Sequence, residues 1–166
     1  MTVLRTVSLL AAAVSTGLMA GLFAAFAYAV LPGLVRADDR TLVLAMQRIN
    51  ESIINGWFLL CFLGALVCAG LAAALHLGAA HRSVLPWILA ALLLYLVVLV
   101  VTGTVNVPLN NQLAAAGDPD RVADLAAVRD RFTATWVRWN LVRAVASTAA
   151  FTLLGWALVA HGRLTG

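Results

Sequence analysis

The sequence predicts an all-α, integral membrane four-helix bundle with an amphipathic helix in each of the two long loops on one side. Three observations carry this. Hydrophobic residues make up 63% of the chain and charged residues 11%, against about 45–50% and about 25% in an ordinary soluble domain. The mean hydropathy is +0.98 over 166 residues; a single soluble domain of this size leaves too much of its surface in water to hide that much apolar area. Finally, the apolar residues fall into four runs, each near the ~20 residues that cross a bilayer core as a helix.

The runs are Val7 to Leu31, about Ile53 to Leu75, about Val84 to Val105 and about Leu141 to Ala160. Strands are excluded because four spans cannot close a barrel, and open sheet edges are not tolerated in lipid. The first run follows Arg5 and contains Ala25-Phe26-Ala27, a loose cleavage-site pattern. It is much longer than the ~7–15-residue core of a signal peptide, so it reads as a retained span. Its small-residue stripe, Ala13, Gly17, Gly21 and Ala24 ending at Tyr28, permits close helix packing. That packing is either internal or a homo-oligomer seam through Gly17 and Gly21.

The connections are unequal. Leu75 to Val84 is a short turn holding His76, His81 and Arg82. Pro32 to Ser52 contains Leu42, Ala45, Met46 and Ile49 at helical spacing, with Asp39 as the expected cap. Asn106 to Asn140 contains Asp118-Pro119, a cap followed by proline, and then the stripe Val122, Leu125, Ala126, Val128 and Phe132. Pro108 disfavours helix at Val107, which places the end of the third span there. The order span, proline, amphipathic helix, span occurs twice, a weak parallel repeat.

The cationic residues are eleven arginines with no lysine. Most stand beside acids in the polar connections, so they read as membrane-end arginines and not as a nucleic-acid footprint. Counted by the positive-inside rule, the long-loop side is cytoplasmic in a multi-pass cell-membrane protein. Cys61 and Cys68 lie about two helical turns apart, roughly 10 Å, too far for a disulfide. His76, His81 and His161 all fall on the terminus side, without a neighbouring acid or thiol, and no metal site is expected from them.

Polar chemistry collects at the long-loop end. One cluster is Gln47-Arg48-Ile49-Asn50-Glu51 with Asn55-Gly56-Trp57; the next is Asn106-Val107-Pro108-Leu109-Asn110-Asn111; the last is Trp136 to Arg143. Trp136, Asn140 and Arg143 are spaced i, i+4, i+7 and share a helix face. Arg143 lies about one turn inside the fourth run, where an arginine faces the bundle interior and takes a partner. Glu51 is the expected partner and Asp130 the fallback. The asparagines either cap helix ends or line a pocket in which an amide stabilises an oxyanion. Trp57, Trp136 and Trp139 at this boundary, with Trp87 and Trp156 near the other, form an aromatic belt or, at the long-loop end, the wall of an aromatic pocket.

These motifs together resemble the anthrone-oxygenase-like family of small four-span membrane proteins. The resemblance rests on Phe26 with Leu31-Pro32-Gly33, Met46 to Asn50, Asn55-Gly56-Trp57-Phe58, Asn106 to Asn110, and Trp136 with Trp139-Asn140 and Arg143. It implies oxidation of an anthrone-like, hydrophobic aromatic by O₂ with neither metal nor flavin. Asn106, Asn110, Asn140 and Arg143 match the family's polar positions and are the candidate catalytic residues. Many members carry histidine after the Trp-Asn pair, where this chain has Leu141, which leaves Glu51 as the candidate base. Trp57, Trp136, Trp139, Asn50, Asn55 and Tyr28 are the candidate substrate-binding residues. The rival readings are a non-catalytic binder of a lipid or small molecule, an accessory subunit of a membrane complex, and a transporter. The last lacks a polar path through the bilayer beyond Thr102 and Thr104.

Overall fold

The computed structural model describes residues 1–165. Helix α1 (Thr2–Ala25) passes through a π turn (Phe26–Val30) into α2 (Leu31–Val35). Then come α3 (Asp39–Ile53) and α4 (Gly56–Leu75), and a short turn containing the 3₁₀ segment Ala79–His81. Helix α5 (Leu85–Val101) runs through a second π turn (Thr102–Asn106) into α6 (Val107–Ala115), and α7 (Leu125–Thr165) follows. Four continuous helices, Thr2–Val35, Gly56–Leu75, Leu85–Ala115 and Leu125–Thr165, are long and apolar enough to cross a membrane. The protein is thus an all-helical, multi-pass membrane protein. Helix α1 packs on α4 and α7, and α5 packs on the same two.

Alanines let these helices approach closely, as small residues do in lipid, where no hydrophobic force drives helices together. Ala12, Ala69, Ala72, Ala91, Ala150 and Ala157 are buried in one cluster with Leu9, Ile88 and Leu154. Gly17 serves the same purpose: a Cβ there would stand 3.0 Å from the Phe151 ring of α7. Gly21 has open space around it. Midway along the bundle, the buried Tyr95 hydroxyl donates to the Phe62 carbonyl at 2.9 Å.

The long-loop end is built from local signals, some of which differ from expectation. Asp38, one residue earlier than expected, caps α3: its carboxylate accepts from the Thr41 amide (2.9 Å) and hydroxyl (2.7 Å). Those bonds hold the Asp38 carboxyl below its ordinary range. Asn55 caps α4 by accepting from the Phe58 amide at 3.0 Å. Asp118-Pro119 starts only a short 3₁₀ turn. The cap at the start of α7 is Asp124, which accepts from the Ala127 amide, and from there the helix continues unbroken for 41 residues. At 1.5 Å per residue that is roughly 60 Å, about twice a bilayer core, so the amphipathic segment and the fourth span are one rod.

Pro108 does not end the third span, because the helix absorbs it. The Val107 amide donates to the Thr102 carbonyl five residues back. This wider turn makes room where a proline removes one amide donor and crowds the preceding turn. In the first span the Leu31 amide donates to Phe26 in the same way, again with the proline one residue further on. The two halves therefore repeat a π turn and a proline at the same offset.

Helix α3 buries Leu42, Val43 and Met46 against Leu31, Leu113, Phe132 and Trp136. It closes over the bundle end and is fixed there by polar ties. Gln47 donates to the Leu113 and Gly117 carbonyls, both at 2.9 Å. Arg40 forks onto Asp120, which holds that carboxyl below its ordinary range. Arg129 of α7 donates to the Val35 and Ala37 carbonyls and to Asp39 at 2.7 Å.

Candidate functional site

Beneath α3 lies a cavity of about 290 Å³. Its apolar walls include Phe23 and Phe26 from the first span, Ile49 and Ile53 from α3, Phe58 from α4 and Trp136 from α7. Its polar wall includes Gln47 and Asn50 from α3, Thr102, Asn106 and Asn110 from the third span, and Asn140 and Arg143 from α7. The π turns matter here. Each adds a residue to its helical turn, so the helix beyond it presents a rotated face to the bundle. Phe26 and Thr102 open these turns, and Asn106 closes the second.

Arg143 is the centre of the polar wall. It is 6% exposed, and Asn106 and Asn140 are each 1% exposed. Its Nη2 donates to Asn140 Oδ1 at 2.9 Å, and its Nη1 to Thr102 Oγ1 at 3.4 Å. The guanidinium lies over the Phe23 ring at 4.3 Å and near the Trp136 ring at 5.4 Å, contacts in which the ring faces attract a cation. Asn140 is itself fixed, its Nδ2 donating to the Phe23 carbonyl at 3.0 Å. Trp136 Nε1 donates to Asn110 Oδ1 at 2.8 Å. Three buried polar atoms of the lining have no partner: Arg143 Nε, Asn50 Nδ2 and Asn106 Oδ1. Buried polar groups are ordinarily satisfied, and these three are the exceptions in the lining.

The expected Glu51–Arg143 pair does not form. Glu51 lies one helical turn from Arg48 on the exposed face of α3 and pairs with it at 3.0 Å. Asp130 does not replace it; the ion pairs among the described residues are Arg40–Asp120, Arg48–Glu51, Arg121–Asp118 and Arg129–Asp39. The Arg143 charge therefore faces rings and amides with no carboxylate against it.

Of the residues singled out from sequence, the structure brings Asn50, Asn106, Asn110, Trp136, Asn140 and Arg143 onto one cavity, with Glu51 also lining it. It leaves the others outside. Trp57 and Tyr28 are 78% and 74% exposed, Asn55 is used as a helix cap, and Trp139 is half-buried away from the lining. Leu141 faces outward and is exposed, so a histidine in its place would also point away from the cavity. Phe23 was not legible as a site residue, because a single phenylalanine within a long apolar run has no feature that separates it from a packing residue.

The fold and site define a class: a multi-pass membrane protein with an aromatic-walled polar cavity at one end of its helical bundle. The family model described as anthrone oxygenase matches residues 57–153, more than half of the chain, and the protein belongs to that family. Comparison with curated proteins and with solved structures gives no match.

Proposed function

We propose that the cavity binds a hydrophobic aromatic substrate of the anthrone type as its oxyanion and lets it react with O₂. The observation that carries this reading is Arg143, a buried cation with no carboxylate partner, oriented by Asn140 and laid against aromatic rings. An enolate oxygen against its guanidinium would supply the missing negative charge, and charge-assisted bonds of this kind are the strong ones. Stabilising the enolate raises the acidity of the substrate's C–H bond. Glu51, the one carboxylate in the lining, is the candidate acceptor of the proton. The electron-rich carbanion then reduces O₂ directly. Insertion of one oxygen atom at the methylene carbon and release of the other as water balances the reaction: one anthrone and one O₂ give one anthraquinone and one water.

A second reading, binding without turnover, draws support from Glu51 itself. That carboxylate is exposed and already paired with Arg48, so it is engaged outside the cavity. The test is O₂ uptake by membranes carrying the protein, supplied with an anthrone, against membranes carrying Asn140→Ala with Arg143→Ala. A rate well above that control is the expected result. A rate equal to the control, with the ligand still bound by the unaltered protein, would favour the binding reading.

A further inference from the structure

At the opposite end of the bundle, the three histidines, scattered in sequence, converge. His76 at the end of α4 and His161 in α7 are 0% and 2% exposed, and His81 reaches them from the short turn. The three ring centroids lie 5.1 to 5.9 Å apart. Helix α1 completes the cluster with Arg5 and Thr6: Arg5 donates to the Leu75 carbonyl at 2.7 Å and contacts His81 Nε2 at 2.9 Å.

The hydrogen bonds assign the protons. A carbonyl only accepts, so His76 Nδ1, 2.7 Å from the Ala72 carbonyl, carries a hydrogen. His76 Nε2 is therefore an acceptor in the neutral ring and faces His161 Nδ1 at 3.2 Å, which must be the donor. His161 Nε2 is then an acceptor, and the Thr6 hydroxyl, 3.2 Å away, donates to it. Arginine only donates, so His81 Nε2 accepts and its hydrogen sits on Nδ1, a buried atom with no partner. All three rings are thus fixed with the hydrogen on Nδ1. Thr6 has a second acceptor within reach, the Thr2 carbonyl at 3.1 Å. If its hydroxyl turns there, Thr6 accepts from His161 Nε2–H instead, and a single proton then lies between His76 and His161.

We infer that His76, His161 and Thr6 form a neutral hydrogen-bonded latch joining α4, α7 and α1 at the terminus end of the bundle, and that this latch takes up one proton, which loosens it. The Thr6 hydroxyl switches between the empty and the loaded state. Among the described residues no group of three histidine, cysteine or acidic side chains is placed to hold a metal ion. The charged and titratable groups facing the pair are Arg5 from α1 and His81 from the turn; Arg163 of α7 lies instead over the Trp156 ring. Every acid of the chain falls in the long loops. Among the described residues the incoming proton therefore meets positive neighbours and no counterion.

Burial, with added repulsion from His81 and Arg5, holds the His76 imidazole below the ordinary histidine range. A base whose folded pKa is lowered contributes stability above its unfolded value, about 6.5. That stability is lost as the pH falls towards the folded value, because the unfolded chain binds the proton first. Acid therefore loosens the latch.

Three histidines make the test direct: ¹⁵N-histidine NMR of the full chain in lipid nanodiscs, with thermal midpoints from pH 8 to pH 5. Three Nδ1–H tautomers at pH 8 are expected. On acidification, the His76 and His161 signals should move together while the midpoint drops. In His161→Gln the His76 signal should move without its partner, and the pH-dependent part of that drop should shrink. Nε2–H tautomers at pH 8, or titration of His76 and His161 independently of one another, would overturn the proposal. So would Zn²⁺ raising the midpoint at pH 8 through the same rings. The spectra of the unaltered protein decide the matter even if His161→Gln does not fold.

Discussion

Replacing Arg143 with methionine should separate ligand binding from stability. The unbranched thioether fills the same channel past Phe23 and Trp136. It removes a charge whose placement inside a membrane costs about 2.5–3.5 kcal/mol. Against this, Asn140 Oδ1 loses its donor, worth about 1–3 kcal/mol when a buried acceptor is orphaned. The stacking over Phe23 is worth a further ~0.5–2 kcal/mol. Thr102 keeps its bond to the Val98 carbonyl, and Asn140 keeps its bond to Phe23. The net change in stability falls within roughly 3 kcal/mol of zero. Binding of an oxyanion has no such offset, since a hydrogen bond to a charged group contributes about 1.5–3 kcal/mol, or about 10- to 150-fold in affinity. The assay is quenching of tryptophan fluorescence by a hydroxyanthraquinone, run beside a thermal midpoint in the same detergent. Unchanged affinity, or a collapse of the fold with no intact protein to titrate, would refute the reasoning.

Two further outcomes are expected. Leu141→His should leave both O₂ uptake and ligand affinity unchanged, because the side chain at this position faces outward; a large gain in rate would mean that position 141 reaches the cavity. Arg129→Ala removes the tie from α7 to the end of α2 and the start of α3. It should destabilise the closed long-loop end by about 1–3 kcal/mol, seen as faster proteolysis around Arg36 to Asp39 with α4 and α5 still protected.

Much of this architecture was legible because it is written in periodicity. The four apolar runs follow from length and composition, and the stripe Leu42, Met46 and Ile49 and the i, i+4, i+7 face of Trp136, Asn140 and Arg143 follow from helical spacing. What was illegible depends on choices between near-equal local alternatives. Pro108 reads as a stop, yet a π turn accommodates it. Asp38 and Asp39 both suit a cap, and the one a residue earlier takes it. Glu51 looked like the partner of Arg143 because it is the only glutamate, but Arg48, one turn away on the same helix, takes it without any cost of burial. Trp57 and Trp139 share a level with the cavity but not its phase. The histidine cluster depends on three rings more than 80 residues apart at their extremes meeting in space, which no local pattern records.

The measurement that bears most directly on the central claim is the yield of quinone per O₂ consumed, in membranes supplied with an anthrone. One quinone is expected for each O₂, at a rate that falls to the unaided level when Asn140 and Arg143 are both replaced by alanine. An unaided rate in the unaltered protein, or a rate that survives the double replacement, would contradict it.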